Sequence, residues 1–352
     1  MLSSAEKIIF IFIAIGAIGA SFITFRKMFR VIGVGTHPID WKTAFFNLSK
    51  GLKVFISQNT LFKSRPIVGF IHALVAWGFT LYLLVNIVDV LYGFIPGFHF
   101  FPNHIIGKLY RVFVDFFTVT VLFGVIYFLI RRFIFNDNRL TINEPVMLSP
   151  EAEKGMRNDS LIVGFFILFH VGARFLSASF EIAKNTADSF QPAATLVSLL
   201  WSNFTEDSII LYEHVTWWIA LGLILGFLPY FPYSKHAHLF MGPLNFMVSK
   251  DRKSMASIET IDFEDDSIEQ FGAGQLQHLP QKQLLDAYAC IQCSRCQDAC
   301  PAYETGKELS PSALEINKRY FLNTHLDEFI DGSIPDASIT DILLTDEAAW
   351  SC

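Results

Sequence analysis

Four cysteines, Cys290, Cys293, Cys296 and Cys300, with Pro301 next, are the residues of this chain best equipped for chemistry. They stand in the stretch CIQCSRCQDACP. Thiolates are soft metal ligands, and C-x2-C-x2-C-x3-C-P is the bacterial run that holds a 4Fe–4S cluster. The two-residue spacings let three thiolates of one tight loop reach three iron corners. The fourth cysteine opens a helix and points away, and in two-cluster proteins it serves the other cluster. Zinc is the alternative, but zinc sites usually draw on two separated Cys/His pairs, which are absent from this pattern. The chemistry implied is electron transfer.

A fifth cysteine, Cys352, is the last residue, after Trp350 and Ser351. A second C-x2-C-x2-C-x3-C-P run would begin there. The expectation is a chain cut just inside that second motif. Cys290, Cys293 and Cys296 would then serve one cluster, and Cys300 and Cys352 the other. The alternative is a chain that ends here, with Cys300 completing a single cluster. The cysteines form no disulfide framework, as suits a reducing compartment.

The elements that must position these cysteines divide in two. Residues 251–352 hold 7 Lys/Arg against 19 Asp/Glu, leaving 20 against 14 of the chain's 27 and 33 for residues 1–250. Hydrophobic residues make up 52%, and the mean hydropathy is +0.40, too apolar for an ordinary soluble enzyme. A basic apolar part before an acidic polar part reads as a membrane domain followed by a soluble one, and the acidic part argues against nucleic acid as a partner. Five apolar stretches, roughly 8–25, 66–94, 112–130, 161–182 and 209–231, are long enough to cross a bilayer as helices. The first is not a cleaved leader, because Arg26, Lys27 and Arg30 follow its long apolar core rather than precede it.

Basic residues also cluster at Lys63 and Arg65, at Arg131, Arg132 and Arg139, and at Lys235. By the positive-inside rule these ends face the cytoplasm. Lys108 and Arg111 run against it. The chain is then a multi-pass protein of the cytoplasmic membrane, with its amino terminus outside and its cysteines inside. The expected fold is all-α: a five-helix transmembrane bundle (1–240), a linker (241–280) and a cytoplasmic α-helical, ferredoxin-like 4Fe–4S domain (281–352).

Four histidines in or beside the spans need a reason, since ionisable residues there are costly. Neutral imidazole is the usual axial ligand of b-type haem. His72 and His238 share a depth near the cytoplasmic end, so they could hold one haem. His170 and His214 differ in depth by roughly 8 Å at helical rise, and a second haem between them stays open. Each histidine alone could instead make an interhelical hydrogen bond. Arg174, one turn beyond His170, could meet a haem propionate or pair with Glu181. His236, two residues from His238, reads as a neighbour of the ligand.

The run FPYSKHAHLFMGPLNF (Phe231–Phe246) resembles the end of the last helix in the gamma subunit of respiratory nitrate reductase, a five-helix dihaem cytochrome b that exchanges electrons with quinol. The resemblance implies that His238 and His72 hold the cytoplasm-proximal haem. The distal haem does not carry over, because its ligand positions are Tyr82 and about Ala220 here. The family's quinol site beside it falls in doubt as well. The stretch LLDAYACIQCSRCQDACPAYETGKELSP (Leu284–Pro311) resembles the iron–sulfur part of heterodisulfide reductase subunits. The two parts fused resemble membrane oxidoreductases that link electron-transfer flavoprotein to menaquinone. Those continue into a second cluster motif and CCG repeats, which this sequence does not contain.

The expected function is respiratory electron transfer between a cytoplasmic partner, such as electron-transfer flavoprotein, and menaquinone or another quinone. It would run through two 4Fe–4S clusters and haem b. An alternative is an anchor and conduit subunit whose catalytic site is on another chain, and a third is a membrane redox sensor. No residue reads as a general acid, base or nucleophile. His278–Ala289 should contain a helix leading into Cys290 with Leu284, Leu285 and Tyr288 turned inward, residues 312–328 another, and Asp331–Asp336 a turn.

Overall fold

The computed structural model describes residues 2–249, 262–264 and 271–351. Among them the chain is helical, with one isolated bridge between Thr36 and Pro280 and no strand. In order, the helices are α1 (Ser4–Gly33), α2 (Trp41–Phe46), α3 (Leu48–Ser57), α4 (Asn59–Ser64), α5 (Pro66–Phe94), α6 (Ile105–Phe133), α7 (Pro150–Lys184), α8 (Pro192–Ser198) and α9 (Glu206–Phe227). They continue with α10 (His238–Val248), α11 (Gln281–Ala289), α12 (Arg295–Asp298), α13 (Pro301–Glu304), α14 (Pro311–Thr324), α15 (Leu326–Asp331), α16 (Ile339–Ile342) and α17 (Asp346–Ala349). Five of them, α1, α5, α6, α7 and α9, are long and apolar enough to cross a bilayer.

Their ends differ from the hydropathy reading where local chemistry differs from hydropathy. The second stretch coincides with α5, which Pro66 opens at its first turn. Helix α6 runs past the apolar stretch to include Arg131 and Arg132 in its last turn. Helix α7 starts at Pro150, because charged side chains do not stop a helix as they stop an apolar window. Helix α9 ends at Phe227, short of 231, just ahead of Pro229, which disfavours helix in the residue before it. Of the segment read as a linker, 250–261 and 265–270 lie outside the described residues, while 241–248 is helix.

The chain forms two compact units: Met1–Phe22, Gln58–Phe135 and Ser160–Tyr230 in one, and Ile23–Ser57, Asn136–Asp159 and Phe231–Cys352 in the other. The division falls within α1 and α7 rather than at 240. We call them the bundle unit and the cluster unit.

In the bundle unit, α5 and α6 pack through small residues. A Cβ on Gly78 of α5 would lie 2.5 Å from Val121 of α6, and one on Gly124 of α6 would lie 2.4 Å from Val75 of α5. Each glycine is the socket for a side chain of the other helix, the close approach that helices in lipid use where water provides no drive. Asp115 of α6 accepts from the amides of Ala193 and Ala194 at 2.8 and 2.9 Å, and so caps α8 from another helix.

In the cluster unit, Leu284, Leu285 and Tyr288 of α11 are buried together with Met28, Ile32, Met241, Leu322 and Phe329. Pro311 and the Ser310 cap start α14, and Gly332 ends α15 at φ +86° in the turn read at 331–336. The helix read as 312–328 is two: α14 stops at Thr324, and α15 follows after His325.

Candidate functional site

The cysteine loop follows α11, whose last residue is Ala289. Gln292 and Ser294 take positive φ values of 58° and 59°. Two left-handed residues in alternation curl the backbone within the C-x2-C spacing, at a cost that the surrounding packing must sustain. Gln292 is clamped by its side-chain amide, which donates to the Tyr320 hydroxyl at 3.1 Å. The Gln292 amide N–H points to Cys290 Sγ at 3.4 Å, and Arg295 Nε–H to Cys293 Sγ at 3.3 Å. Donors aimed at sulfur favour thiolate and tune a bound cluster.

Burial pushes the Cys290 thiol up to about 12 and the Cys296 thiol up to about 11, and the neighbouring Cys293 raises both further. Three thiols close enough to repel as thiolates suit a cationic iron centre, which reverses that preference. Among the described residues no three His, Cys, Asp or Glu side chains converge as a single-ion site requires. A cubane asks something else of its ligands, since each thiolate serves its own iron corner.

Cys300 keeps different company. It caps α13 and packs with Ala302, Leu309, Leu344 and Ala348, the last two shortly before the final residue. Cys352 lies outside the described residues.

A shell of buried polar side chains supports the loop, and sequence reasoning missed all of it. Arg319 of α14 is 1% exposed. One of its guanidinium nitrogens donates to the Cys290 carbonyl at 2.8 Å, and the other to the Tyr233 and Ser234 carbonyls. It thus joins the cysteine loop to the run that carries His238. Gln297 donates to the Thr141 carbonyl and accepts from the Ser310 hydroxyl. Asn317 binds the Met147 and Leu343 carbonyls. Polar residues inside a soluble helix carry no pattern that separates these from surface ones.

In the same unit His238 opens α10, and its Nδ1 lies 2.7 Å from the Lys235 carbonyl. A carbonyl partner makes Nδ1 the protonated nitrogen and leaves Nε2 as the lone-pair donor, the tautomer of a metal-ligating histidine. His236 is buried, and burial, helped by Lys235, lowers it to about 4, so it is neutral.

In the bundle unit His72 lies on α5 with its ring edge-on to Phe128, centroids 6.3 Å apart. His170 and His214 are engaged separately. His170 is buried, its Nδ1 2.9 Å from the Ala220 carbonyl, its face on Phe166 and Tyr82 edge-on. Tyr82 in turn shares a hydrogen bond of 2.6 Å with Thr118. Both positions marked above as lacking distal ligands, Tyr82 and Ala220, therefore close on His170. His214 is 2.6 Å from Glu6, which also accepts from Trp218.

Arg174 does not pair with Glu181. It meets Asp89 of α5 at 3.2 Å, an acid within an apolar span that the sequence reading passed over. This pair borders a cavity of about 390 Å³ at the end of the unit where α5 and α7 finish and α6 and α9 begin. Around it Arg111 pairs with Asp188, Lys184 with Glu213, and the Tyr92 hydroxyl donates to Glu213. Two lining groups differ. The Glu181 carboxylate has no hydrogen-bond or ion-pair partner among the described residues. The buried Tyr110 hydroxyl likewise has none among them.

No protein-family model and no solved structure matches the chain. Two curated proteins do. One, "Probable iron-sulfur-binding oxidoreductase FadF" of Bacillus subtilis, is 31% identical over 271 residues, which is 74% of this chain and 35% of that protein. The other, "EtfAB:quinone oxidoreductase" of Syntrophomonas wolfei, is 27% identical over 293 residues, 81% of this chain and 39% of that protein. The chain thus spans under half the length of either, and both are named oxidoreductases.

Proposed function

We propose that this chain is the membrane and cluster part of a quinone-linked iron–sulfur oxidoreductase. The observation that carries the reading is the curled, sulfur-directed loop at Cys290, Cys293 and Cys296 in a chain with five helices fit to cross a bilayer. The likeness to an iron–sulfur-binding and a quinone oxidoreductase supports it.

In this reading Cys290, Cys293 and Cys296 hold one 4Fe–4S cluster, and Cys300 with Cys352 contributes to a second. A cluster supplies one-electron storage at a potential set by charge, hydrogen bonding and exposure. The chain's own residues set those variables: Arg295 and the Gln292 amide at sulfur, and Arg319 as a fixed buried cation behind Cys290. The electron partner in the cytoplasm is electron-transfer flavoprotein or a protein like it.

His72 and His238 are each proposed as a haem b ligand, and the tautomer of His238 suits that role. The engagement of His214 Nε2 by Glu6 favours one haem over two. The cavity beside Arg174 is the proposed place for a quinone head group. The Tyr110 hydroxyl can donate to one ring oxygen, and the Glu181 carboxylate can accept from the hydroxyl that the other becomes on reduction. The cysteines are proposed to face the cytoplasm.

The test is anaerobic purification with iron, acid-labile sulfide and haem quantified, the electron paramagnetic resonance of the reduced protein, and the reduced-minus-oxidised visible spectrum. Cys293→Ser should abolish the cluster signal, and His72→Ala should abolish the haem bands while His170→Ala leaves them. An unchanged cluster signal in Cys293→Ser, or no haem in the wild type, would reject the corresponding assignment.

A further inference from the structure

The segment between α1 and α5 packs one face and leaves the other bare. Inward, Gly51 of α3 sits against Met247 of α10, and Asn47 donates to the Met247 carbonyl. Outward, Trp41, Phe45 and Phe46 of α2 are 51, 72 and 72% exposed. Leu48, Leu52 and Ile56 of α3 are 44, 48 and 61% exposed. The last three are spaced by four, so they form a single stripe along the helix. Three aromatic side chains and a stripe of this size left to water would cost several side chains' worth of burial.

Charge identifies what covers them. Residues 34–65 carry Lys42, Lys50, Lys53, Lys63 and Arg65 against one acid, Asp40. Lys42 and Lys53 are exposed and each adjoins an apolar residue of the bare face, Trp41 and Leu52. Aromatic and aliphatic side chains on one face with lysines at its margin make an interfacial helix, where the apolar part enters the acyl boundary and the ammonium groups reach the headgroups. Continuity agrees. The segment joins two helices fit to span a bilayer, so both of its ends leave the membrane at its surface.

We propose that α2 and α3 lie in the bilayer interface as an amphipathic pair that binds anionic phospholipid. The pair tethers the cluster unit's own α10 to the membrane plane through the Gly51–Met247 contact. The proposal rests on the membrane reading of α1 and α5 and on none of the redox assignments.

The experiment uses the full chain in lipid nanodiscs. Trp41 is isolated as the difference in emission between the wild type and Trp41→Phe. Phosphatidylcholine brominated near the headgroup end of its acyl chains should quench that difference, and aqueous iodide should not. Hydrogen exchange across residues 41–57 should be slower when phosphatidylglycerol is included. The variant with Lys42→Glu and Lys53→Glu should lose about fivefold of that protection per lysine, and should match the wild type in phosphatidylcholine alone. Quenching by iodide but not bromine would place the face in water and reject the proposal. Shielding from both, with protection that rises with protein concentration in detergent, would show a second copy as the cover and reject it too. Equal protection with and without phosphatidylglycerol would reject the anionic-lipid part. If the chain were released from native membranes by alkaline wash, the membrane reading itself would fail, separately from these outcomes.

Discussion

The bundle unit and the cluster unit differ in where their large apolar side chains lie. In the bundle unit many of them face outward, Phe12 being 71% exposed, Ile67 74% and Phe123 64%, though Val121, Phe166 and Leu221 are buried. The inside holds Asp89 with Arg174, Asp115 on the α8 amides, Tyr82 with Thr118, and sockets at Gly78 and Gly124. In the cluster unit Leu284, Leu285, Ile316, Leu322 and Phe329 are inside, as in any protein folded by water. The solvent explains the difference. Lipid gives no reward for hiding a phenylalanine, so helices in it associate through close packing and polar pairs. The cluster unit departs from its own rule in one place, the polar shell of Gln292, Gln297, Asn317 and Arg319 behind the cysteines. A redox centre needs donors and a fixed charge at hand, and an apolar core supplies neither.

The contrast can be broken by changes confined to one unit. The largest effect is expected from Cys293→Ser, which should empty the cluster unit of iron and its reduced-state resonance. The five long helices, held by contacts of another kind, should keep their circular dichroism. Collapse of both together would show that the units do not fold separately. Next comes Asp89→Asn, which leaves the Arg174 guanidinium charged and without its partner. A cost of about 3 kcal/mol is expected for an uncompensated enclosed charge, read as a lower thermal midpoint with iron content unchanged. Pairing it with Arg174→Gln should recover most of the loss. Gly124→Val should be milder, about 2 kcal/mol from overpacking against Val75, and measurable in the same melt. A neutral result would mean that α5 and α6 do not interlock as described.

The smallest effect concerns a cap. Asp40 accepts from the Lys42 and Thr43 amides and from the Thr43 hydroxyl, and the Thr43 bonds, hydroxyl first, hold its carboxyl below the usual aspartate value. A depressed folded value means that the cap's contribution is present above the unfolded pKa of about 3.9. It is lost as pH falls through the folded one. The thermal midpoints of wild type and Asp40→Ala should differ slightly at neutral pH and converge in acid. A difference that persists in acid would assign the stabilisation to something other than the carboxylate.

Much of the fold was legible because it is written in contiguous residues. Hydropathy located all five long helices, with α5 at its observed bounds, and missed ends only where charges extend a helix or Pro229 cuts one short. Leu284, Leu285 and Tyr288 were readable as an inward face from spacing alone. The site was less legible. The cysteines announce themselves by spacing, but nothing local distinguishes Arg319, which is buried against three carbonyls, from Lys307 on the exposed loop. His170 and His214 look alike as histidines in spans, yet one is packed on Phe166 and the other bonded to Glu6.

The sequence by itself determined the redox chemistry its cysteines can support, the all-helical class, the apolar spans and the charge contrast between the two parts. Those follow from residue type, spacing and composition within short windows. Only the tertiary structure decided that Arg174 takes Asp89 rather than Glu181, leaving Glu181 open to the cavity. It also decided that Cys300 packs apart from the other three, that Arg319 ties the cysteine loop to the His238 run, and that α2 and α3 keep one face bare. Each of these is a choice among partners far apart in the chain. The register and rotation of packed helices make that choice, and no local pattern records them.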